Sequence, residues 1–248
     1  MRSFLSYINK FRCNLKKYRR MEINETLVEK IMEFLKEIEI EYQKVQGLIL
    51  TEDDLKCLLF SKLYGYLQVA NTIDTGVIAS AIHSEVKFYD EEGLLTLIPD
   101  LCIVEPRHIS IFHSVEFKIK RNHLTCEYKK LPRKSVEIGG NTIVIELKFC
   151  RDKNGINETD VETYNNDILK IKKLQEIVQR RSSGNDKMFG VFAVFNKTNG
   201  GAEFVKSIIE AENSRITTFY GTGLVDFTQE HRFPNNEDGY LTERHAWC

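Results

Sequence analysis

One run of residues largely decides what this chain can fold into. Residues 141–150 are almost continuously apolar and rich in β-branched side chains, and Gly139 and Gly140 precede them. Such a run is typical of a strand buried on both faces, in a sheet that helices cover from two sides. An amphipathic pattern follows at about 158–181, and another apolar run at 188–195. This order of strand, helix and strand predicts a βαβ crossover.

The remaining pattern predicts further helices and strands around this unit. Apolar residues at helical spacing indicate a helix at 24–46, and a second at about 51–69 that starts from an N-cap at Thr51. The other expected elements are strands at 82–89, 94–104, 109–119 and 124–128, a short helix at 202–212 and a strand at 215–220. The predicted fold class is therefore α/β, with a mixed central β-sheet flanked by helices. We expect an N-terminal helical segment at 1–46 and one main domain at 47–248.

Composition and charge argue against several classes of protein. The 248 residues are 42% hydrophobic and 29% charged, which is ordinary for a globular chain. The net charge of −1 gives no overall basic field of the kind that a non-specific nucleic-acid binder carries. No apolar run approaches the ~20 residues that span a bilayer, and the six cysteines include no CxxC pair. We expect a cytoplasmic protein with no membrane segment, zinc knuckle or disulfide framework.

The basic residues are concentrated in two stretches. Residues 1–20 carry seven Lys and Arg and no acid, with apolar residues at helical spacing. They indicate an accessory helix or an upstream extension, and contact with phosphates or an anionic membrane surface is the alternative. Residues 118–134 carry seven basic residues and one acid. An inserted basic hairpin there would contact phosphates, although a purely solvated hairpin is equally compatible with the pattern. The expected nucleic-acid-binding residues are Lys129, Lys130, Arg133 and Lys134.

Three charged residues interrupt runs that otherwise have the pattern of core strands. Glu146 and Lys148 are two positions apart, so on a strand their side chains point to the same face. Asp100 interrupts an earlier apolar run directly after Pro99, which cannot donate a backbone hydrogen bond. Charges inside a core are costly unless they meet a partner or an ion. The three side chains are therefore expected to share one polar pocket.

Two carboxylates and an ammonium group are the minimum set for metal-dependent hydrolysis of a phosphodiester. Mg²⁺ takes hard oxygen ligands, commonly one or two carboxylates with water, and it both activates water and neutralises developing charge. A neighbouring lysine can orient the attacking water or stabilise the charge on the phosphoryl group.

With these residues the chain resembles the PD-(D/E)xK nuclease superfamily. The matching segments are Ile98-Pro99-Asp100-Leu101 and Ile143 to Phe149, and the order of elements matches over roughly residues 50–220. The resemblance implies a restriction-endonuclease-like fold and a nuclease dependent on Mg²⁺, or on Mn²⁺. Asp100 and Glu146 would be metal ligands, and Lys148 the catalytic lysine.

The resemblance also assigns a role to Glu52. The family often places a further metal-binding glutamate near the start of its first core helix, and Glu52 occupies that place here. The alternative is an ordinary acid in a first helical turn, where the helix dipole favours negative charge.

Four ExK tripeptides compete for the motif position. They begin at Glu85, Glu116, Glu127 and Glu146. The Glu85 copy precedes Asp100, the wrong order for the family, and the Glu127 copy lies in a basic, polar stretch. The Glu116 copy is the real competitor, 16 residues after Asp100. We favour the Glu146 copy because the expected helix and strand follow it.

These features together predict a DNA endonuclease of restriction, defence or a mobile element, acting alone, as a homodimer or with a partner protein. A catalytically inactive nuclease-fold module that binds nucleic acid or another protein is the alternative. A third possibility is a structural protein in which the charges lie on exposed edge strands and merely pair with each other.

Overall fold

The structure of the chain is a computed structural model that describes residues 22–67, 70–71, 78–90, 92–113, 115–120, 123–128, 134–209 and 215–225. The helices are α1 (Glu25–Lys44), α2 (Glu52–Tyr66), α3 (Glu158–Arg181) and α4 (Ala202–Ile209). The strands are β1 (Ala70–Asn71), β2 (Ile78–Ala79), β3 (Ile82–Ser84), β4 (Phe88–Tyr89), β5 (Leu95–Leu97), β6 (Leu101–Val104), β7 (Ile109–His113), β8 (Val115–Lys120), β9 (His123–Tyr128), β10 (Lys134–Ile138), β11 (Thr142–Cys150), β12 (Met188–Asn196) and β13 (Ile216–Thr222).

A mixed five-stranded sheet forms the centre of the fold, in the order β13-β12-β11-β6-β3. Strand β11 runs parallel to β12, which runs parallel to β13. On its other side β11 is antiparallel to β6, and β6 is antiparallel to β3. The expected βαβ crossover is confirmed, since α3 joins β11 to β12. The predicted α/β class with a mixed sheet is likewise confirmed.

Helices cover both faces of this sheet. Alternate residues of β11 explain the layers, because successive side chains point to opposite faces. Ile143, Ile145 and Leu147 share one core with the apolar stripes of α1 and α2. Val144 belongs to a second core, which is closed by α3. Helix α1, from the expected N-terminal segment, therefore packs in the same core as the sheet; residues 1–21 lie outside the described residues.

Helix ends follow the capping signals in the sequence. At the start of α2, the Thr51 hydroxyl accepts from the Asp54 N–H at 3.2 Å and the Asp54 carboxylate accepts from the Thr51 N–H at 2.9 Å. This reciprocal pair is the expected capping arrangement. Helix α3 begins after Asn157, and the Gly184 N–H closes its far end on the Gln179 carbonyl at 2.8 Å.

Three expected strands are each divided in two. The span 82–89 breaks at Glu85, whose φ of 55° lies in the left-handed region. The span 94–104 breaks at Pro99, which has no N–H to donate to a ladder. The span 109–119 holds β7 and β8, and β8 forms an antiparallel hairpin with β9. Strand β10, which the pattern did not predict, pairs with β7 in a separate two-stranded sheet.

Within the described ranges, no helix is long and apolar enough to cross a membrane. The cysteines whose side chains the structure describes, Cys57, Cys102 and Cys150, are free thiols.

The loop after β11 and the loop after β12 pack backbone against backbone. The Ile156 N–H donates to the Gly200 carbonyl at 3.1 Å. Gly201 has a φ of +70°, and a Cβ at this residue would overlap the Ile156 carbonyl oxygen. Since the first of these loops leads into α3, this contact fixes where α3 begins on the sheet.

Gly201→Ala is therefore expected to destabilise the protein strongly. The left-handed backbone and the overlap together should lower the free energy of unfolding by on the order of 3 kcal/mol. Urea denaturation measures the change. Gly184→Ala is the matched control, because Gly184 has a φ of +82° but nothing within 4 Å of a new Cβ. It should lose only about 1 kcal/mol, and equal losses would contradict the contact.

Candidate functional site

On the side of β11 that faces β6, only the first half of the strand has a neighbouring strand. Strand β6 pairs with β11 only from Thr142 to Ile145. Beyond that point two carboxylates take the place of a neighbouring strand. The Leu147 N–H donates to Asp100 Oδ2 at 2.8 Å, and the Phe149 N–H donates to Glu52 Oε2 at 3.2 Å. Backbone donors are thereby satisfied as a core requires, and both acids are held beside the motif strand.

The turn that carries Asp100 is tied to α2 by a second set of contacts. The Glu85 N–H donates to the Asp100 carbonyl at 3.2 Å. The Glu85 carboxylate lies 2.9 Å from Lys56 Nζ, and that ammonium also lies 2.7 Å from Asp53 Oδ1 on the first turn of α2. These contacts place the Asp100 turn next to the helix end that carries Glu52.

Glu146 and Lys148 lie on the face of β11 that α3 covers. Lys148 Nζ is 2.7 Å from Glu146 Oε1 and 3.0 Å from Asp167 Oδ2, so the ammonium group bridges strand and helix. The other carboxylate oxygen of Asp167 lies 2.7 Å from Lys170 Nζ, one turn further along α3. Glu146 and Asp167 are only 7% and 8% exposed, which makes this a buried charge cluster.

Burial and like charges both act on the acids of this cluster. Burial raises the pKa of Glu146 to about 7; attraction to Lys148 opposes this rise, and the charges of Asp100 and Asp167 add to it. Burial also raises the pKa values of Asp100 and Glu52, again against the attraction of Lys148. Each acid responds to the same lysine, so Asp100, Glu146 and Glu52 share one electrostatic environment.

Lys148 remains an ammonium group despite its burial. Burial lowers its pKa, but the ion pairs with Glu146 and Asp167 outweigh burial, and the net change is upward. For Asp167, burial raises the pKa, but hydrogen bonds from Lys170 and Lys148 outweigh it, and the net change is downward. The pair of Lys148 and Asp167 is therefore charged on both sides near neutral pH.

One oxygen of Glu146 is left over. Glu146 Oε2 is buried, and none of the described residues donates a hydrogen bond to it. Buried polar atoms without a partner are rare and call for an explanation, of which an ion is one. A cation is a suitable partner here, since Asp100, Glu146 and Glu52 outnumber Lys148, the lysine that pairs with Glu146.

The donor set fits Mg²⁺ or Mn²⁺. The available ligand atoms are carboxylate oxygens from Asp100, Glu146 and Glu52, the hard donors that these ions prefer. Among the described residues, no three His, Cys, Asp or Glu side chains are grouped closely enough to hold a metal ion between them. Coordination by one or two of these carboxylates, completed by water, is the usual arrangement for Mg²⁺.

The structure thus places Asp100, Glu146, Lys148 and Glu52 along the part of β11 beyond Ile145, although no three of the acids among the described residues lie close enough together to hold one ion. The competing pair, Glu116 and Lys118, lies on β8, which pairs with β9 outside the five-stranded sheet. Of the predicted nucleic-acid-binding residues, Lys129, Lys130 and Arg133 lie outside the described residues, and so does the side chain of Lys134 at the start of β10. Their role stays a prediction.

Sequence reasoning did not assign a role to Asp167. A signal was present, because an acid at position 167 falls on the apolar stripe of α3, between Tyr164 and Ile171. A charge on the buried side of a helix that follows the motif strand indicates a partner on that strand. Lys148 is that partner.

No match to this chain is found among the protein-family models, the curated proteins or the solved structures.

Proposed function

We propose that this protein is a metal-dependent nuclease that hydrolyses phosphodiester bonds, with DNA as its substrate. The observation that supports the proposal most is the buried, unpartnered Glu146 Oε2 in a cluster that also contains Asp100 and Lys148. The order of elements, with a hairpin region, motif strand, helix and strand, is compatible with a restriction-endonuclease-like core. A role in restriction, defence or a mobile element rests on the family resemblance, and a cytoplasmic location rests on the scattered cysteines.

Each residue then has a distinct task. Asp100 and Glu146 would hold the ion, and Glu52 would have to move closer to them to become a further ligand. When bound, Mg²⁺ or Mn²⁺ supplies a more acidic water and a positive charge against the phosphoryl oxygens. Lys148 orients the attacking water or stabilises negative charge on the phosphate, and its ion pairs keep it protonated for that task. Burial of the cluster strengthens these interactions relative to water.

Calorimetry is expected to detect Mg²⁺ binding that weakens in the Asp100→Asn variant. Asparagine removes the negative charge but keeps an oxygen that can accept from the Leu147 N–H, so the fold should persist. Asp186→Asn, at a half-buried acid in the turn between α3 and β12, serves as the control and should bind as the wild type does. Tight zinc binding without any response to Mg²⁺ or Mn²⁺ would contradict the assignment.

Cleavage of plasmid DNA, single-stranded DNA and RNA, each with and without Mg²⁺, tests the activity itself. The proposal expects cleavage of DNA that requires the ion and stops with a chelator. A nuclease-fold module that binds nucleic acid without cutting it is the second candidate. It is favoured by the ion pairs that Lys148 makes with Glu146 and Asp167, which satisfy these charges without an ion. Salt-dependent DNA binding with no cleavage by any ion-loaded sample would establish that alternative.

A further inference from the structure

Glu146 pairs with Lys148, and the proposed chemistry also requires Glu146 to bind the metal ion. The Lys148 ammonium group lies 2.7 Å from Glu146 Oε1, and Glu146 is also a proposed metal ligand. A divalent cation attracts a carboxylate more strongly than an ammonium group does at similar distance, because its charge is twice as large. Engagement of Glu146 by the ion therefore weakens the ion pair that Glu146 makes with Lys148.

The buried ammonium group of Lys148 needs an anion beside it. The side chain of Lys148 is 17% exposed, so most of its surroundings are protein rather than water. Breaking a buried pair while leaving one charge in place is strongly unfavourable. Lys148 must then either turn away toward solvent or hold on to a different carboxylate.

Asp167 is that different carboxylate. It lies 3.0 Å from Lys148 Nζ and comes from α3 rather than from the strand that carries Glu146. Its second oxygen is occupied by Lys170 at 2.7 Å, which fixes the orientation of the carboxylate. Asp167 is 8% exposed, so its position is set by the packing of α3 on the sheet.

We propose that Asp167 is a positioning residue, which holds the Lys148 ammonium group in the site while Glu146 is engaged by a divalent cation. This inference rests on the proposed nuclease function. Asp167 acts through Lys148 and is not itself a ligand of the ion. Lys170 has a supporting part, because it neutralises the oxygen of Asp167 that Lys148 leaves free.

The test follows Lys148 directly, by NMR of isotope-labelled lysine side chains. An ammonium group that is buried and hydrogen-bonded exchanges its protons slowly enough to give a signal, and Lys148→Ala identifies which signal it is. In the wild type the signal should persist when Mg²⁺ is added. In Asp167→Asn it should persist without Mg²⁺, because Glu146 still holds the lysine, and disappear when Mg²⁺ binds.

Glu162→Gln is the matched control, since Glu162 is an exposed acid on the same helix. Its Lys148 signal should behave as in the wild type. If Asp167→Asn does not fold, Lys170→Ala provides the same test in weaker form, with faster proton exchange at Lys148 only in the presence of Mg²⁺. A Lys148 signal that survives Mg²⁺ binding in Asp167→Asn would overturn the inference.

Kinetics separates a positioning role from a structural one. Asp167→Asn should lower kcat about ten- to a hundred-fold, in the range typical of residues that orient a catalytic group, and leave KM unchanged. Asp167→Glu should recover part of kcat, because it restores the charge at a slightly different distance. Equal kcat values for wild type and Asp167→Asn would also overturn the inference.

Two further results separate this inference from the proposed function. Loss of Mg²⁺ binding in Asp167→Asn would make Asp167 a ligand and contradict its positioning role, while the nuclease proposal stands. A wild-type protein that binds no divalent cation by calorimetry and cuts no substrate would instead remove both proposals together.

Discussion

Lys148→Ala and Glu146→Gln are each expected to lower the cleavage rate about 10²–10³-fold, which is the usual effect of losing a group that stabilises transition-state charge. Glu146→Gln removes a proposed ligand and one of the two anions beside Lys148, whereas Lys148→Ala removes the only described ammonium group in contact with Glu146. Rates are measured with the substrate and ion that the wild type uses. Circular dichroism checks that each variant is folded.

The same measurement decides between the two ExK copies. Glu116→Gln and Lys118→Ala change the residues of the copy that lies on β8, outside the five-stranded sheet. They should reduce activity only modestly, through substrate binding. If these two variants lose cleavage and the Glu146 variant retains it, the motif strand has been misassigned. If all four single variants cut as well as the wild type, the activity comes from a contaminating nuclease. The proposal that this protein is a nuclease then loses its support.

Without divalent ions, the free energy of unfolding is expected to fall as pH rises from about 4.5 to about 7, the interval between the ordinary and the raised pKa of Glu146. The folded state binds the proton of Glu146 more tightly than the unfolded chain does, so it gains stability at the acid end. This gain is lost once the folded protein also releases the proton. The difference corresponds to about 3 kcal/mol at ~1.4 kcal/mol for each pH unit.

Neighbouring groups leave the sign of this effect unchanged. The pKa values of Asp100 and Glu52 are also raised by burial, so these acids contribute in the same direction. The pKa of Asp167 is lowered from 3.8, so its opposite contribution falls below this interval. The pKa of Lys148 is raised from 10.5, and its contribution is lost only in alkali.

Urea denaturation at a series of pH values measures the effect. The Glu146→Gln variant has no proton to release at this position. Its free energy of unfolding should therefore decline much less over this pH interval than that of the wild type. Subtracting the two curves cancels the groups that both proteins share, including the histidines. Parallel curves for wild type and variant would show that Glu146 titrates normally in the folded protein.

Strong periodic signals made the centre of the fold predictable. The apolar run of β11, the stripe of α3 and the run of β12 each have one dominant pattern, and their boundaries differ little from those expected. The period of two along a strand also placed Glu146 and Lys148 on one face. These features are local in the sequence, so one chain is enough to read them.

Contacts between distant segments were harder to predict. Glu52 and Phe149 are separated by 97 residues, and nothing local indicates that one accepts from the backbone of the other. The role of Asp167 depends in the same way on how α3 is placed against β11. Short strands such as β4 and β5 have too few residues to show any period, so their separation from β3 and β6 was not visible.

The carboxylates that take the place of β6 along the end of β11 have one more consequence, for aggregation. A strand edge with unused N–H groups is a template for pairing with another chain, and charged side chains turned toward the edge are a common protection against it. Asp100 and Glu52 occupy the Leu147 and Phe149 donors and bring negative charge to that edge. A protein with both acids replaced by alanine would lose the proposed ligands and this protection at once, so its loss of solubility would accompany its loss of function.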